Sequence, residues 1–243
     1  MPTDFHDLTA RLTSVYSKRL ALRPVCLSDT WPLFDATRHP AFNQHLLWDQ
    51  PGNEWEVYRR VEAVVEATRT GKMASVSAVL KETGAWVSLF RFQPTAEPEA
   101  EGTLEMGLWT HARYWHGRIS LELGRMCVDA AFQASGVQRL IGITSVDNRA
   151  SQQLMELVGL HLRGTALRAC ESGGTRTSMV FELDRATWLR QRRGQTFAAY
   201  EDAEPTREGT ARSDPGMPHS TAWWATMTAR PALAAPVPSL SGT

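Results

Sequence analysis

The stretch from 102 to 160 constrains the fold more than any other part of the 243-residue chain. Its apolar residues alternate up to Trp109, as in a strand, and a glycine-containing loop follows. From Ile119 they recur at helical spacing, 140–146 is an apolar run of strand length, and a second helical pattern ends at Gly159. This order predicts a strand, a loop, a long helix, a strand and a short helix, which is typical of α/β layers around one sheet.

The strand that opens this stretch has two chemically different sides. Leu104, Met106 and Leu108 lie on one side, and Glu105 and Trp109 lie on the other, because side chains alternate along a strand. A carboxylate in this position is either a solvated surface group or a general base for a bound substrate. Both interpretations stay open at this point.

The loop at 113–119 matters because it opens the long helix. The first N–H groups of a helix have no internal partners, and together with the helix dipole they attract an anion, typically phosphate. The available donors are the amides of residues 117–120, and Arg113 and Arg118 add positive charge to the same place. The loop is therefore a candidate phosphate site.

An ordered set of short motifs runs through the stretch. It comprises Glu105-Met106-Gly107, Tyr114-Trp115, Glu122 in the long helix, Asn148-x-x-Ser151 and Gly159-Leu160. In order and spacing this set resembles the GNAT superfamily of acetyl-CoA-dependent N-acetyltransferases, in the branch that acetylates the N-termini of ribosomal proteins (RimJ/RimL-like). The resemblance implies a single domain of the α/β (α+β) class, with a mixed, mostly antiparallel central sheet flanked by helices.

The resemblance also assigns roles in the transfer of an acetyl group from acetyl-CoA to a primary amine. It makes Glu105 the general base and gives Ser151 the hydrogen bond to the departing thiolate. A backbone N–H on the strand of Leu108 and Trp109 stabilises the oxyanion, and Asn148 binds the pantetheine arm. The loop residues that would hold the pyrophosphate are Arg113, His116, Gly117, Arg118, Ile119 and Ser120.

Other interpretations of the same residues remain open. Capping of the short helix alone would explain both Asn148 and Ser151. His111 and His116 lie near the loop and are further candidates for a base, or are ordinary loop residues. In the register set by Arg113 and Glu122, His116 and Arg118 stand where the family has glycines. A slip of one residue places Gly117 and Ile119 there instead.

The glycine-poor loop leaves two alternatives to an enzyme, a catalytically silent acyl-CoA sensor and an interaction module. For an enzyme, the first acceptor implied by the resemblance is a protein N-terminus, followed by a small amine or an aminoglycoside. In that comparison the segment 39–52 and the helices on either side of it shape the acceptor pocket; the same residues could simply close the core.

Composition excludes several other classes. Lys and Arg total 26 and Asp and Glu total 26, so zero net charge suggests neither nucleic acid nor an acidic membrane as partner. The three widely spaced cysteines show no metal-binding or disulfide pattern. With neither a signal-peptide h-region nor a run long enough for a membrane span, we expect a cytoplasmic protein. A homodimer stays open as its assembly.

The flanking segments complete the predicted layout. Residues 1–17 form an N-terminal arm with a short amphipathic helix, and 18–189 form the domain. Within the domain, helices are expected after Ser28 or Asp29 and after Asn53, and hairpins at 73–92 and 161–183. Beyond residue 190 the chain is rich in proline and polar residues, so we expect a disordered tail in which only Trp223-Trp224 suggests docking.

Overall fold

The computed structural model describes residues 2–95, 101–115 and 118–194. One seven-stranded sheet has the order β1-β2-β3-β4-β5-β7-β6. The strands are β1 Leu20–Pro24, β2 Ala74–Leu80, β3 Trp86–Pro94, β4 Thr103–Thr110, β5 Arg139–Ser145, β6 His161–Ala169 and β7 Thr175–Asp184. The helices are α1 Phe5–Ser14, α2 Thr30–Thr37, α3 Glu54–Arg69, α4 Ile119–Gln133, α5 Arg149–Val158 and α6 Arg185–Gly194.

All neighbouring strands are antiparallel except β4 and β5, which are parallel. This mixed, mostly antiparallel sheet with flanking helices is the predicted fold class, which is confirmed. The parallel pair is joined through α4, as a crossover connection between parallel strands requires.

Helices cover both faces of the sheet centre, and β4 is buried along its whole length. Leu104, Met106 and Leu108 belong to a core cluster that includes residues of α1, α4 and α5. Trp109 belongs to a second cluster with residues of α2 and α3. The predicted alternation of β4 is therefore confirmed, and Glu105 lies on the α3 face because it alternates with Leu104 and Met106.

Local signals in the sequence explain where the helices start and stop. Asn53 caps α3 by accepting a hydrogen bond from the Glu56 amide at 3.1 Å. The Glu56 carboxylate in turn accepts from the Gly52 amide at 3.0 Å, one residue earlier than in a standard capping box. Gly159 ends α5 with φ 109°, a conformation that glycine adopts without strain.

The first and last helices, α1 and α6, both pack against the first core cluster. Leu8 and Leu12 of α1 are fully buried in the first core cluster, so the N-terminal helix packs on the domain. Helix α6 runs to Gly194, past the boundary predicted at residue 190. Trp188 anchors α6: its ring stacks on Phe132 and its indole N–H donates to Asp129 at 2.8 Å. The rest of the predicted tail, with Trp223-Trp224, lies outside the described residues.

Among the helices of the described ranges, none has the length and apolar character needed to cross a membrane.

Candidate active site

The parallel strands β4 and β5 separate towards their carboxyl ends. Their ladder runs from Thr103 and Arg139 to Met106 and Gly142, where it ends in the described part of the chain. On its other edge β4 stays paired with β3 as far as Thr110. The last four residues of β4 therefore border a gap at the carboxyl end of the parallel pair, the usual position for a ligand in sheets of this kind.

The Leu108 amide points into this gap. The His111 amide donates to the Val87 carbonyl on β3 at 2.9 Å, so His111 and Trp109 direct their N–H groups towards β3. N–H groups alternate between the two edges of a strand, which turns the Leu108 amide towards β5. Of the two candidate oxyanion donors, Leu108 is correctly oriented. The Trp109 amide faces β3, and its indole is buried in the second core cluster.

Helix α4 begins at the same end of β4. Its first hydrogen bond of helical type joins the Glu122 amide to the Arg118 carbonyl at 3.0 Å, so the amides of Ile119 and Ser120 precede it. The Ser120 and Thr110 hydroxyls are 3.0 Å apart and fasten the start of the helix to the end of β4. This geometry presents free helix amides beside the gap, as an anion site requires.

Arg118 has a backbone conformation that normally belongs to glycine. Its φ is 60°, the only positive value for a non-glycine residue among those described. This residue stands where the register of Arg113 and Glu122 expects a glycine, and it adopts a left-handed conformation that glycine takes without strain. The side chain is exposed and is free to add charge to the helix amides. His116 and Gly117 lie outside the described residues.

We expect Arg118→Gly to stabilise the fold by about 1 kcal/mol, because glycine relieves the strain of the left-handed conformation. Arg118→Ala removes the same charge but keeps the strain, so it should bring no such gain. Urea unfolding midpoints of the two variants and the parent measure the difference. Equal midpoints for the glycine and alanine variants would show that the turn is unstrained.

Glu105 is buried rather than solvated. Only 4% of the residue is exposed, which rules out the interpretation as a surface glutamate. Arg168 of β6 donates to its carboxylate at 3.2 Å, and Gln93 of β3 at 3.4 Å. Arg91 of β3, fully buried on the same face, adds a second positive charge nearby. Glu105 therefore lies among arginine side chains on the buried face of the sheet, and a carboxylate so placed is a candidate general base.

Arg91 explains the glycine of the Glu105-Met106-Gly107 motif. A Cβ added at Gly107 would lie 3.1 Å from Arg91 Nε, so the missing side chain makes room for the arginine to cross β4. Burial lowers the pKa of Arg91 to about 10, Glu105 acts in the opposite direction, and Arg168 lowers it further. The guanidinium therefore remains charged at neutral pH beside the candidate base.

Two cavities flank Glu105 on the α3 face. The larger, about 440 Å³, lies between α3 and β3, and its lining includes Arg91 and Gln93. The smaller, about 290 Å³, has Glu105 and Arg168 in its wall and apolar side chains from β5 and β7, namely Ile141, Ile143 and Val180. Since Gln93 and Arg168 both contact Glu105, the carboxylate connects the two cavities.

Asn148 and Ser151 lie at the start of α5, on the opposite face of the sheet from Glu105. The Asn148 side chain accepts from the Ser151 amide at 3.1 Å, so Asn148 does cap the helix. The Ser151 hydroxyl plays no part in that cap: it is fully buried and has no hydrogen-bond partner within the described residues. Capping alone therefore does not explain Ser151. An unsatisfied buried hydroxyl costs about 1–3 kcal/mol and fits a site that a ligand completes.

The structure brings the predicted residues together only in part. Leu108, Ile119 and Ser120 lie around one end of the gap, whereas Ser151 lines neither cavity next to Glu105. His111 is engaged elsewhere, with its ring 3.1 Å from Asp35 and accepting from the Arg113 amide. Arg91, Gln93 and Arg168 were not among the site residues predicted from the sequence. An arginine inside the apolar run 85–92 was the one available signal, because charge is rare in a buried strand.

The chain matches one family model and many solved structures. The family model described as "Acetyltransferase (GNAT) domain" matches residues 19–161. A GNAT acetyltransferase from Bacillus anthracis has a TM-score of 0.60 at 16% identity, covering 71% of this chain and 98% of its own. RimL, the ribosomal L7/L12 N-acetyltransferase, solved with coenzyme A, has 0.59 at 15%, covering 69% and 95%. Mycobacterium smegmatis RimJ, solved with CoA-disulfide, has 0.57 at 18%, covering 72% and 90%.

These solved structures share the fold of this chain. No curated protein sequence matches the chain significantly.

Proposed function

Because the chain belongs to the GNAT acetyltransferase family, we propose that it transfers an acetyl group from acetyl-CoA to a primary amine, with a protein N-terminus as the first acceptor to test. The observation that carries this proposal is the buried Glu105, which adjoins two cavities beside the gap between β4 and β5. The complexes of RimL and RimJ with coenzyme A and CoA-disulfide support a coenzyme A ligand for this fold.

The residues around the gap divide the work of binding. The amides of Ile119 and Ser120, with the charge of Arg118, are suited to hold the diphosphate at the start of α4. The Leu108 amide faces the gap, where it can donate to the acyl oxygen as negative charge develops on it. Acetyl-CoA supplies the acyl group as a thioester that is activated towards an amine. The unsatisfied Ser151 hydroxyl is suited to donate to the departing sulfur.

Glu105 is placed to take up the proton that the acceptor amine must lose before it can attack. An α-amino group has a pKa of about 8 and a lysine amine about 10.4, so at neutral pH most of the amine is protonated and cannot attack. A carboxylate that accepts this proton, directly or through water, makes the nitrogen nucleophilic. The buried carboxylate of Glu105, beside Arg91 and Arg168, is the group placed to do so.

The test is release of free thiol from acetyl-CoA in the presence of a panel of peptides with free N-termini, N-acetylated peptides that carry only lysine amines, and small amines including aminoglycosides. We expect turnover that depends on the amine, with the mass of the acceptor raised by one acetyl group. Binding of coenzyme A without turnover of any amine would instead indicate an acyl-CoA sensor. Lack of binding at high coenzyme concentration would indicate an interaction module.

A further inference from the structure

Arginine is the prevailing charged residue in the two cavities that flank Glu105. The cavity walls contain Arg59, Arg60, Arg91, Arg163 and Arg168. Against these five stand the three acidic residues of the walls, Glu56, Glu105 and Glu171, and Glu182 outside them, whose carboxylate is 3.6 Å from Arg163. Any molecule that brings its amine to Glu105 therefore enters surroundings with an excess of positive charge.

The acidic residues of the larger cavity are already engaged. The Glu56 carboxylate accepts from the Gly52 amide and from the Asn53 side chain, both at the start of α3. The Glu171 carboxylate binds Arg60 at 2.8 Å and accepts from the Asp49 amide at 2.9 Å. Glu171 is therefore paired with Arg60, and neutral amide groups hold Glu56 at the start of α3, so neither carboxylate forms an ion pair with Arg59 in the described part of the chain.

Arg59 is the cation left over on this wall. Its side chain is exposed at the cavity mouth and has neither an ion-pair nor a hydrogen-bond partner in the described part of the chain. A guanidinium binds a carboxylate through two parallel N–H groups, and an exposed one does so at little desolvation cost. Arg59 is therefore suited to an anionic group of the ligand.

The connection between the two cavities indicates where the anionic group of the acceptor would lie. Gln93 lines the larger cavity and donates to Glu105, so the larger cavity begins at the candidate base. An acceptor whose amine lies at Glu105 can extend into it, towards the α3 arginines. Peptide residues span about 3.3–3.6 Å each when extended, so acidic side chains soon after the amine are the ones to reach this wall.

We propose that the acceptor of this enzyme is a peptide N-terminus followed closely by acidic residues, and that Arg59 on α3 contributes to selecting it. This inference rests on the proposed acetyl transfer to a primary amine. A basic N-terminus is disfavoured at the same site, because it would place like charges beside the surplus arginine.

The experiment compares three peptides of equal length that begin Ser-Glu-Glu, Ser-Gln-Gln and Ser-Lys-Lys. We expect kcat/KM to be about tenfold higher for the acidic than for the neutral peptide, mainly through KM, as an ion pair near a protein surface allows. The preference should shrink when salt is raised from about 50 to about 500 mM. Arg59→Gln should lower the acidic-to-neutral ratio several-fold, and Arg59→Lys should retain most of it.

Arg69→Gln is the matched control, since it removes the same charge from the other end of α3. Arg69 is exposed, pairs with Glu66 on the surface and lines neither cavity, so the ratio should not change. Equilibrium binding of the N-acetylated acidic and neutral peptides, measured by fluorescence anisotropy, gives a readout that is independent of turnover and should show the same order.

The possible results distinguish a failure of the acidic-acceptor proposal from a failure of the proposed acetyl transfer. Equal efficiency for acidic and neutral peptides, or a preference for the basic one, would overturn the acidic acceptor and leave the transferase intact. If free glutamate is used better than the acidic peptide, the peptide is the wrong occupant. Absence of thiol release with every amine overturns both proposals.

Discussion

Replacing Glu105 with Gln is expected to reduce kcat/KM for the amine about 10²–10⁴-fold at neutral pH, the range that a general base contributes. Glutamine keeps the shape of the side chain and its contact with Arg168 but cannot take up a proton. The residual rate should rise with pH over a wider range than in the parent, because the amine must then lose its proton to solvent. The pH–rate profile checks this, since a purely structural role would leave its shape unchanged.

The ion-pair role of Glu105 calls for a second variant. Arg91 is fully buried, and removal of a nearby negative charge destabilises such a cation by several kcal/mol. Glu105→Asp keeps the negative charge but shortens the side chain by one methylene, which withdraws the carboxylate from the reacting amine. We expect near-normal unfolding with a loss of activity of tenfold or more. Full activity in the Asp variant would show that Glu105 only balances the arginines.

Gly102→Ala is expected to cost about 3 kcal/mol of folding free energy. Gly102 has φ 80°, and an added Cβ would lie 2.2 Å from the Gly136 carbonyl oxygen. Backbone cannot move aside as a flexible side chain can. The Gly102 carbonyl also accepts from the Gln138 and Arg139 amides, which starts the parallel pairing of β4 with β5.

Gly84 provides the matched control. Its φ is 70°, close to that of Gly102, but no atom lies within 4 Å of the position of an added Cβ. Gly84→Ala therefore carries the conformational strain alone, about 1 kcal/mol. Urea titrations with equal denaturant dependence give the loss of unfolding free energy in each variant. In thermal unfolding, the melting temperature should fall by roughly 6–12 °C for Gly102→Ala. Similar losses in both variants would mean that the contact with Gly136 is absent in solution.

The order of elements from β4 to α5 was predictable because each signal is local. Hydrophobic alternation, helical spacing, the Asn148 cap and the glycine at 159 all act within a few residues of the element they define. The same local signals indicated Glu105 as a carboxylate on a strand flanked by apolar residues. Its chemical surroundings were not predictable in this way.

The partners of Glu105 depend on the order of the strands. Arg168 is 63 residues away along the chain and reaches Glu105 across the sheet order β4-β5-β7-β6, which alternation does not specify. Arg91 lies in a segment predicted as a hairpin strand, and its place beside Gly107 follows only from the register of β3 with β4. Helix α6 was missed because its sequence is strongly polar, and Trp188 alone anchors it among the ring contacts described.

The loop before α4 was hard to predict for another reason, because its backbone conformation does not follow from its residue types. The family motif has a glycine at the position of Arg118. The backbone adopts the left-handed conformation there although the residue is an arginine. Residue type alone therefore suggested a disrupted loop, whereas the conformation is the one that a glycine would supply. The hydrogen-bonded hydroxyls of Thr110 and Ser120 connect the helix start next to this turn with the end of β4.

Hydrogen–deuterium exchange with and without coenzyme A tests most directly whether the gap between β4 and β5, with the start of α4, is the coenzyme site. We expect slower exchange at Leu108, at Ile119 and Ser120, and around Ser151, with no change at the exposed end of α3 near Arg69. Protection confined to other segments, or none at saturating coenzyme, would contradict the proposed site.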